Sequence, residues 1–462
     1  MDFGRLIAIS FYIMSYFSAG GMKPAMSFRY TKKMIFVLDI ILIVNFYLAY
    51  MRFKDFLSPA FLLGAGMLAA SIVATCYYGE WKMGDMLPSS VVAIGGGTCL
   101  FTFMSCLFSL NKDSRRIISI PTLKEKRLFF VLLFTVVVSF LNVVIKYKYY
   151  VHTFGSLLSM SELIYSARLD GWTGENALKF PKIVYWISYY SDFSLYISLW
   201  LLAYCLVFKL KKKKLKRLAM LHLVAVMLDG FLSGAKGAIL EPVFRFFVIY
   251  LMLYLSIKKM DAIPRSALLK ILGLFIIFIM SFKFLSTSIG RQTEETDNSS
   301  MLAEYCGAEI KNFDIYMHGL DGNPTSKRWG EYTFVNFYKE VSPNFKHNPG
   351  NFQNVGSFSL GNVYTMFFQF HKDFGMIGVF LMTMLIAVIS SFIYMKAKHN
   401  ESGINIFLLI YSSLAFCLVM GFFSSRFTEL FFTMYYLKFL VFMLVLTKIA
   451  NKYLIKGNFV YE

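Results

Sequence analysis

The chain has 462 residues, of which 57% are hydrophobic, 18% aromatic and 16% charged, and its formal net charge is +20. This apolar content exceeds that of soluble domains, so it excludes a water-soluble enzyme or nucleic-acid-binding domain despite the basic charge. In a membrane protein, such a charge indicates basic loops against anionic lipid and a fixed orientation.

Runs of about 20 apolar residues, each long enough to cross the hydrocarbon core of a bilayer, recur along the whole chain. We therefore predict an all-α polytopic membrane protein, a single bundle of about twelve transmembrane helices. No signal-peptide cleavage site follows the first run, which is predicted to stay as a span. The predicted spans are 3–19, 34–50, 59–77, 89–110, 128–146, 183–208, 218–234, 237–257, 267–286, 374–395, 403–423 and 428–449.

Lysine and arginine are concentrated in the segments that follow even-numbered spans. These segments are predicted to lie on the same side of the membrane, the cytoplasmic side, and both termini are then cytoplasmic. A basic patch after the first span disagrees. Either the first span does not cross the membrane fully or this patch is outweighed by the five other gaps, and we favour the second interpretation. These gaps follow spans four, six, eight, ten and twelve, with clusters such as Arg115–Arg116, Lys211–Lys214 and Lys258–Lys259.

The segment 147–181, between spans five and six, is predicted to lie on the outer side. Within it, Leu157, Met160, Ile164 and Ala167 recur at helical spacing. This pattern favours a short amphipathic helix in the outer membrane interface. An ordinary loop helix packed on the bundle is the alternative.

A long polar segment from Ser286 to about Gly361 interrupts the apolar pattern and is predicted to lie outside. Between residues 286 and 360 it has nine acidic and six basic residues, against the sign of the whole chain, and many aromatics. Such long loops are functional or disordered. The aromatic content favours function over a disordered tether. The predicted organisation is spans one to nine in 1–286, the outer loop region in 287–373, and spans ten to twelve in 374–462.

The turn between spans seven and eight combines small residues with Lys236, and a lysine at the start of a helix suits a phosphate. Glu241 and Arg245 follow four residues apart, the spacing of a pair on one helix face. An internal salt bridge that holds Arg245 in the bundle is the alternative.

Arg168, Arg291 and Arg426 reach the same predicted side as Lys236 and Arg245. Together these five cations suit a diphosphate, for which arginine and lysine are the usual ligands. Each alone is compatible with an interfacial side chain whose charged end reaches water.

The six cysteines lie mostly inside apolar runs and lack the short spacing of metal ligands. We therefore predict neither a disulfide framework nor a metal site. A P-loop and an Asp-x-Asp motif are also lacking, so no cofactor is expected.

Two stretches resemble the Wzy-type O-antigen polymerases, which polymerise oligosaccharide repeat units. Ser233-Gly-Ala-Lys-Gly-Ala is similar to the family's small-residue turn with a cation, although the family more usually has arginine where Lys236 stands. Gly361-Asn-Val-Tyr-Thr-Met-Phe-Phe-Gln-Phe-His-Lys-Asp-Phe-Gly-Met-Ile-Gly resembles the aromatic segment before its next span. The span number and the large outer loop between spans nine and ten are similar too.

The resemblance implies a GT-C-like membrane glycosyltransferase in the bacterial inner membrane. Its donor and acceptor would be glycans on undecaprenyl diphosphate, with membrane lipid and a chain-length regulator as further partners and no nucleic acid. The cations would neutralise the departing diphosphate. His318 and Glu304, with Asp314 behind them, are the candidates for the base that activates the acceptor hydroxyl.

Two other functions stay open at this point. An O-antigen ligase has the same chemistry with a different acceptor, and sequence separates it poorly from a polymerase. A flippase or transporter of lipid-linked glycan also needs cations and aromatics, but it usually has internal repeats and charges near the bilayer midplane.

Overall fold

The computed structural model describes residues 33–108, 116–117, 119–173, 178–257, 303–324, 326–342, 345, 350–400 and 403–460. In chain order its helices are α1 (Met34–Phe53), α2 (Pro59–Cys76), α3 (Pro88–Phe108), α4 (Glu125–Phe154), α5 (Met160–Thr173), α6 (Lys182–Val207), α7 (Lys213–Leu232), α8 (Lys236–Ile257), α9 (Ala308–Met317), α10 (Val335–Val341), α11 (Met366–Lys398), α12 (Ile406–Val419), α13 (Arg426–Phe431) and α14 (Met434–Ile449). The strands are β1 (Arg116–Ile117), β2 (Ser119–Leu123), β3 (Gln353–Val355), β4 (Phe358–Gly361), β5 (His399–Asn400) and β6 (Ile455–Val460).

Eight of the helices in these ranges are long and apolar enough to cross a membrane, so the protein is an all-α membrane protein. The eight are α1, α2, α3, α4, α6, α8, α11 and α14. Each of the ten predicted spans that fall on described residues contains a helix. The spans predicted at 3–19 and 267–286 lie outside the described residues, and the total of twelve stays a prediction.

Two predicted span boundaries differ from the observed helices. The helix that contains the span predicted from 374 begins earlier, at Met366, where Phe367, Phe368 and Phe370 are buried, but its backbone breaks at Gly375, next to the predicted start. The span predicted from 428 is divided into α13 and α14. Thr433 begins α14 by accepting a hydrogen bond from the backbone N–H of Tyr436 at 3.0 Å, a helix cap in a segment that hydropathy alone reads as continuous.

The centre of the bundle is built around α6, which is buried on every side from Phe193 to Cys205. Trp200 stacks on Tyr204 there, with ring centroids 4.9 Å apart. Helices α7, α8 and α4 pack against α6, while α2, α3, α11 and α12 form the other half of the same core. Outward-facing positions such as Phe130 and Phe134 are exposed and apolar, as expected where a helix contacts acyl chains.

Four of the five basic gaps meet at one end of the bundle, and the fifth, with Lys258–Lys259, lies outside the described residues. Strand β1 pairs in parallel with β5, and β2 pairs antiparallel with β6, which joins the segments after α3, α11 and α14. Lys212 forms an ion pair with Glu125, so the gap after α6 lies there too. We call this the basic end. The shared end agrees with the parity of the basic gaps, and its cytoplasmic location stays a prediction.

The polar segment packs on the opposite end of the bundle. Its described residues between 303 and 365, which we call the cap, contain α9, α10 and the β3–β4 hairpin. Helix α9 packs against α2, α3 and β4, and α10 packs against α13. The described cap is therefore a folded element of the bundle and not a tether.

The amphipathic segment forms α5, but its buried face differs from the predicted one. Leu157 precedes the helix and is fully exposed, whereas Leu163 and Ile164 are buried. These two side chains cluster with Tyr150 and Leu232 of α4 and α7. Helix α5 is therefore packed on the bundle, which was the alternative to an interfacial helix.

Candidate functional site

The first turns of α11 hold the cap through side chains that each reach a different segment. The Asp373 carboxylate accepts hydrogen bonds from the backbone N–H groups of Tyr332 and Thr333, the shortest at 2.7 Å, and from the Ser326 hydroxyl at 2.9 Å. Hydrogen bonds to a charged acceptor are among the strongest in proteins. Asp373 therefore fixes the loop between 326 and 333 to the helix.

His371 and Lys372 hold a second part of the cap. The Tyr316 hydroxyl and His371 Nδ1 are 2.7 Å apart, and Lys372 Nζ lies 5.0 Å from the centroid of the Tyr316 ring. Lys372 is also 3.9 Å from Asp321 and donates to the backbone oxygen of Asn323 at 3.3 Å. These contacts connect α9 and the loop after it to the start of α11.

Gly375 breaks α11 between this cap-binding part and the membrane-crossing part. Its φ of 65° and ψ of −161° belong to a region that essentially only glycine adopts. Among the described residues, no atom beyond the adjacent helix backbone lies within 4 Å of the position that a Cβ on Gly375 would take, so the requirement for glycine is conformational and not one of packing. Gly378, in contrast, is crowded by Phe374 across the break.

Replacing Gly375 by alanine is expected to cost on the order of 1–3 kcal/mol of stability, because a Cβ strains this backbone conformation. The apparent melting temperature of the purified protein in detergent measures the effect. Gly79→Ala is the control, since that glycine has no positive φ and open space around it. Equal melting temperatures for both variants would show that the break tolerates a side chain.

His318 caps the end of α9 with its side chain 29% exposed. Its Nδ1 lies 2.9 Å from the backbone oxygen of Asp314. Since a carbonyl oxygen only accepts, Nδ1 carries the proton of the neutral ring, and Nε2 keeps the lone pair of a base. Among the three base candidates, His318 combines an available lone pair with access to solvent.

Asp314 is fully buried beneath His318. Its Oδ1 accepts hydrogen bonds from the backbone N–H of Leu87 at 2.9 Å and from the Ser90 hydroxyl at 2.8 Å. Its Oδ2 lies 3.4 Å from Lys311 Nζ and 3.7 Å from His318 Nδ1. Asp314 thus joins α9 to the start of α3, and its charge lies close to the histidine ring.

Glu304 lies at the other end of α9, beside Gly361 of the hairpin, where its Oε1 is 3.1 Å from the position of an added Cβ. The ten residues of α9 span about 15 Å at 1.5 Å per residue. Glu304 and His318 are therefore too far apart to act on one bond.

Glu309 is the more unusual acid in this part of the cap. Its side chain is fully buried, and neither carboxyl oxygen has a hydrogen-bond partner from another described residue. Burial raises the pKa of the Glu309 carboxyl well above its usual range, and the charge of Glu304 acts in the same direction. Burial also raises the pKa of the nearby Cys306 thiol to about 12. Glu309 is therefore held as a neutral acid.

This raised pKa predicts a pH-dependent stability. Above the ordinary pKa of a glutamate the unfolded chain has lost the proton that folded Glu309 keeps, so stability falls as pH rises, by up to about 1.4 kcal/mol per pH unit. Glu309→Gln is expected to remove this contribution. Melting temperatures of both proteins from pH 5 to pH 8 measure it as a difference, and parallel pH profiles would contradict a protonated Glu309.

Five ionisable side chains from four helices meet inside the bundle near the cap end, and we call them the charged cluster. They are Lys146, Asp192, Asp229, Glu241 and Arg245. Lys146 Nζ lies 2.8 Å from Asp229 Oδ2, and the Tyr435 hydroxyl lies 3.4 Å from Asp192 Oδ2. Asp192 is within electrostatic range of the other four members. Asp192 lies about 15 Å along α6 from Lys182, the first residue of that helix. The cluster therefore lies within the bundle and not at the helix ends.

Glu241 and Arg245 form an ion pair on one face of α8. The Arg245 guanidinium also lies 4.8 Å from the centroid of the Tyr196 ring, a cation–π contact with α6. Both charged side chains are largely buried. The internal salt bridge that the sequence left open is therefore present, and the charge of Arg245 is already balanced inside the protein.

Arg168 lies beside the turn that leads to Lys236. A Cβ on Gly234 would be 3.5 Å from Arg168 Cδ, so α5 places this arginine against the turn between α7 and α8. Gly234 has a φ of 64° and makes this close approach possible. Lys236 is the first residue of α8.

Arg426 begins α13 with its side chain 44% exposed. Its guanidinium is 3.1 Å from Glu429 Oε2 and 5.8 Å from the centroid of the Phe423 ring. Gln369 of α11 donates to the other oxygen of Glu429 at 3.0 Å. Arg426 is therefore accessible while its position is held through Glu429. Arg291 lies outside the described residues.

The structure brings some of the predicted site residues together and separates others. Cys417 of α12 is within electrostatic range of Glu241, Arg245, Arg426 and Glu429, so the two ion pairs approach one part of the bundle. His318 and Asp314 are neighbours, whereas Glu304 is at the far end of α9.

Sequence reasoning missed several residues of this region. His371, Lys372 and Asp373 lie in the stretch that carried the family resemblance, but they were not assigned a role. Asp192 is the only acid in α6, and an ionisable residue inside an apolar span is itself a functional signal. Glu309 had no such signal, because its burial follows from tertiary packing.

Within the described ranges, no group of three or more histidine, cysteine or acidic side chains is arranged to hold a metal ion. Comparison with known proteins found no matching protein-family model, no matching curated protein and no matching solved structure.

Proposed function

We propose that this protein is a glycosyltransferase of the bacterial inner membrane that polymerises undecaprenyl-diphosphate-linked repeat units into a surface polysaccharide. The proposal includes cytoplasmic termini, which would put the cap on the outer side. One observation carries it: a folded polar cap with a base-competent histidine packs on the end of an apolar bundle where Arg168 and Arg426 lie.

The cap would provide the base for the transfer. His318 Nε2 would take the proton of an acceptor sugar hydroxyl while that oxygen attacks the anomeric carbon of the donor. The bond between this carbon and the diphosphate oxygen breaks as the new glycosidic bond forms. The resulting imidazolium would be stabilised by the Asp314 carboxylate, whose Oδ2 is 3.7 Å from Nδ1.

The cations would stabilise the leaving diphosphate. Arg426 is exposed, and Arg168 adjoins the turn before Lys236, so these side chains are suited to bind two phosphates at the membrane surface. Arg245 is already paired with Glu241 inside the bundle, so it would add positive charge near the site without contacting the diphosphate directly. Arg291 is retained as a further diphosphate ligand because the sequence predicts it on the same side of the membrane. A lipid diphosphate carries its own activation, so the reaction needs no nucleotide.

The first test is a gel of surface polysaccharide from cells that lack this gene, with and without the gene restored. Loss of the long ladder, with one repeat unit still attached to the core, is the result expected of a polymerase. Absence of any repeat unit on the core would overturn the proposal in favour of a ligase or a flippase.

The second test restores the gene with His318→Ala. We expect at least a 100-fold loss of polymer at normal expression, since a general base contributes about 10²–10⁴-fold to a rate. His152→Ala is the matched control, because this exposed histidine lies at the same end of the bundle, in the last turn of α4. A full ladder with His318→Ala would remove His318 from the mechanism.

The charged cluster favours one alternative, a flippase or transporter of lipid-linked glycan. Its paired acids and bases lie inside the bundle, where transporters often have proton relays. The same gel distinguishes a polymerase from a flippase. Without a flippase no repeat unit reaches the core, whereas without a polymerase one repeat unit is still attached to it. An O-antigen ligase gives the same absence, and repeat units that accumulate on undecaprenyl diphosphate at the outer surface distinguish it from a flippase.

A further inference from the structure

Lys438 is exposed on the face of α14 that points away from the bundle, and its ammonium lies near two aromatic rings of α6. Its Nζ is 5.8 Å from the centroid of the Trp186 ring and 5.3 Å from that of Tyr189. Helices α6 and α14 are held together beneath it, where the rings of Phe193 and Phe439 are 5.3 Å apart. The two helices therefore present one lysine ammonium flanked by two rings.

The surface around Lys438 is apolar and exposed. Trp186 is 58% exposed, and Ile183 of α6 and Leu437 and Val441 of α14 are more than half exposed. In a membrane protein, exposed apolar side chains on spanning helices contact lipid. Lys438 therefore emerges from a lipid-facing surface and not from the charged cluster inside the bundle.

Lys438 differs in its partners from three other cations of this end. Lys146, Arg245 and Arg426 each pair with a carboxylate. Across the described ranges, Lys438 contacts the two rings and has no carboxylate within ion-pair distance. Near the membrane surface a basic side chain attracts anionic lipid, and no described residue of the protein supplies a carboxylate for Lys438.

Lys438 and Trp186 both lie close to the cap end of their helices. It lies about 6 Å along α14 from Met434, and Trp186 lies about 6 Å along α6 from Lys182. Glu340 of the cap accepts hydrogen bonds from the backbone N–H groups of Met434 and Tyr435, so this helix end adjoins the polar cap. Tryptophan and tyrosine at such a level are typical of a membrane interface.

We propose that Lys438, Trp186 and Tyr189 form a binding site for the phosphate of a membrane lipid. The ammonium binds the phosphate oxygens, and the rings contact the headgroup and the first carbons of the lipid chain. The lipid is either a phospholipid or a lipid-linked diphosphate, since both carry the phosphate that this site recognises. The proposal stands independently of the polymerase function.

Native mass spectrometry of the full-length protein tests the site. Protein in detergent is mixed with phosphatidylglycerol in one arm and with undecaprenyl diphosphate in the other. We expect Lys438→Gln to reduce lipid retention about tenfold or more, which corresponds to a lost hydrogen bond to a charged group. Lys438→Arg is expected to retain the lipid, because arginine also binds phosphate.

Lys339→Gln is the matched control, since it removes the same charge from an exposed position on the cap. A loss confined to undecaprenyl diphosphate identifies a site for the lipid-linked diphosphate. A loss confined to phosphatidylglycerol identifies a phospholipid site, and a loss of both supports a general phosphate site. Unchanged lipid retention with Lys438→Gln, or an equal loss with Lys339→Gln, would overturn the proposal. The ammonium of Lys438 would then be solvated by water and not bound to lipid.

Discussion

Replacement of Arg245 by methionine is expected to destabilise the protein by about 3–5 kcal/mol, because it leaves the charge of Glu241 buried without its partner. The pair is largely buried, and Arg245 also lies over the Tyr196 ring. The double variant Glu241→Gln/Arg245→Met is expected to recover most of the loss, since no unpaired charge then remains. Apparent melting temperatures of the single and double variants in detergent measure this coupling.

The ion pair between Lys212 and Glu125 gives the control for Arg245. It lies at the basic end and is much more exposed, so Glu125→Gln is expected to cost about 1 kcal/mol or less. If Arg245→Met is as stable as the wild type and yet inactive, Arg245 contacts the substrate directly, and its ion pair with Glu241 is not structural.

Removal of the Asp314 carboxylate is the second change with a large expected effect. Asp314→Ala deprives the Leu87 N–H, the Ser90 hydroxyl and the Lys311 ammonium of an acceptor in a buried place. The expected cost is about 3–5 kcal/mol, the range for breaking a buried charged pair. Thermal unfolding measures it, and the polysaccharide gel reports activity in parallel.

Two further variants separate an anchoring role of Asp314 from a catalytic one. Ser90→Ala removes one donor and is expected to cost about 1 kcal/mol with the polymer ladder retained. His318→Ala is expected to be stable and inactive, since its partly exposed ring makes few contacts. An Asp314→Ala protein that is as stable as His318→Ala and equally inactive would identify Asp314 as part of the chemistry itself.

These variants also bear on how the cap and the bundle work together. Asp314 connects the cap to α3, Asp373 connects it to α11, and Glu340 connects it to α14. Three acids of the cap region are therefore used to fix its position. Under the proposed function, such rigid attachment would keep His318 at a constant position relative to Arg168 and Arg426.

The amino-acid sequence by itself determined the class of the protein. Apolar runs of membrane-crossing length depend only on local composition, so the helices from Met34 to Leu454 could be located from them. The parity of the basic gaps also depends on order along the chain, and the strands that join those gaps at the basic end agree with it. The spacing of Glu241 and Arg245 offered an internal salt bridge as one of two interpretations, because residues four apart lie on the same face of a helix.

Only the tertiary structure decided which polar residues are accessible and which are buried. The sequence offered His318 and Glu304, with Asp314 behind them, as candidates for the base. Packing buries Asp314, leaves His318 partly exposed and puts Glu304 at the other end of α9. Glu309 became a neutral buried acid and Asp373 an anchor of the cap through contacts with residues distant in the chain. Burial and charge pairing depend on which helices meet, and the local pattern of a sequence does not contain that information.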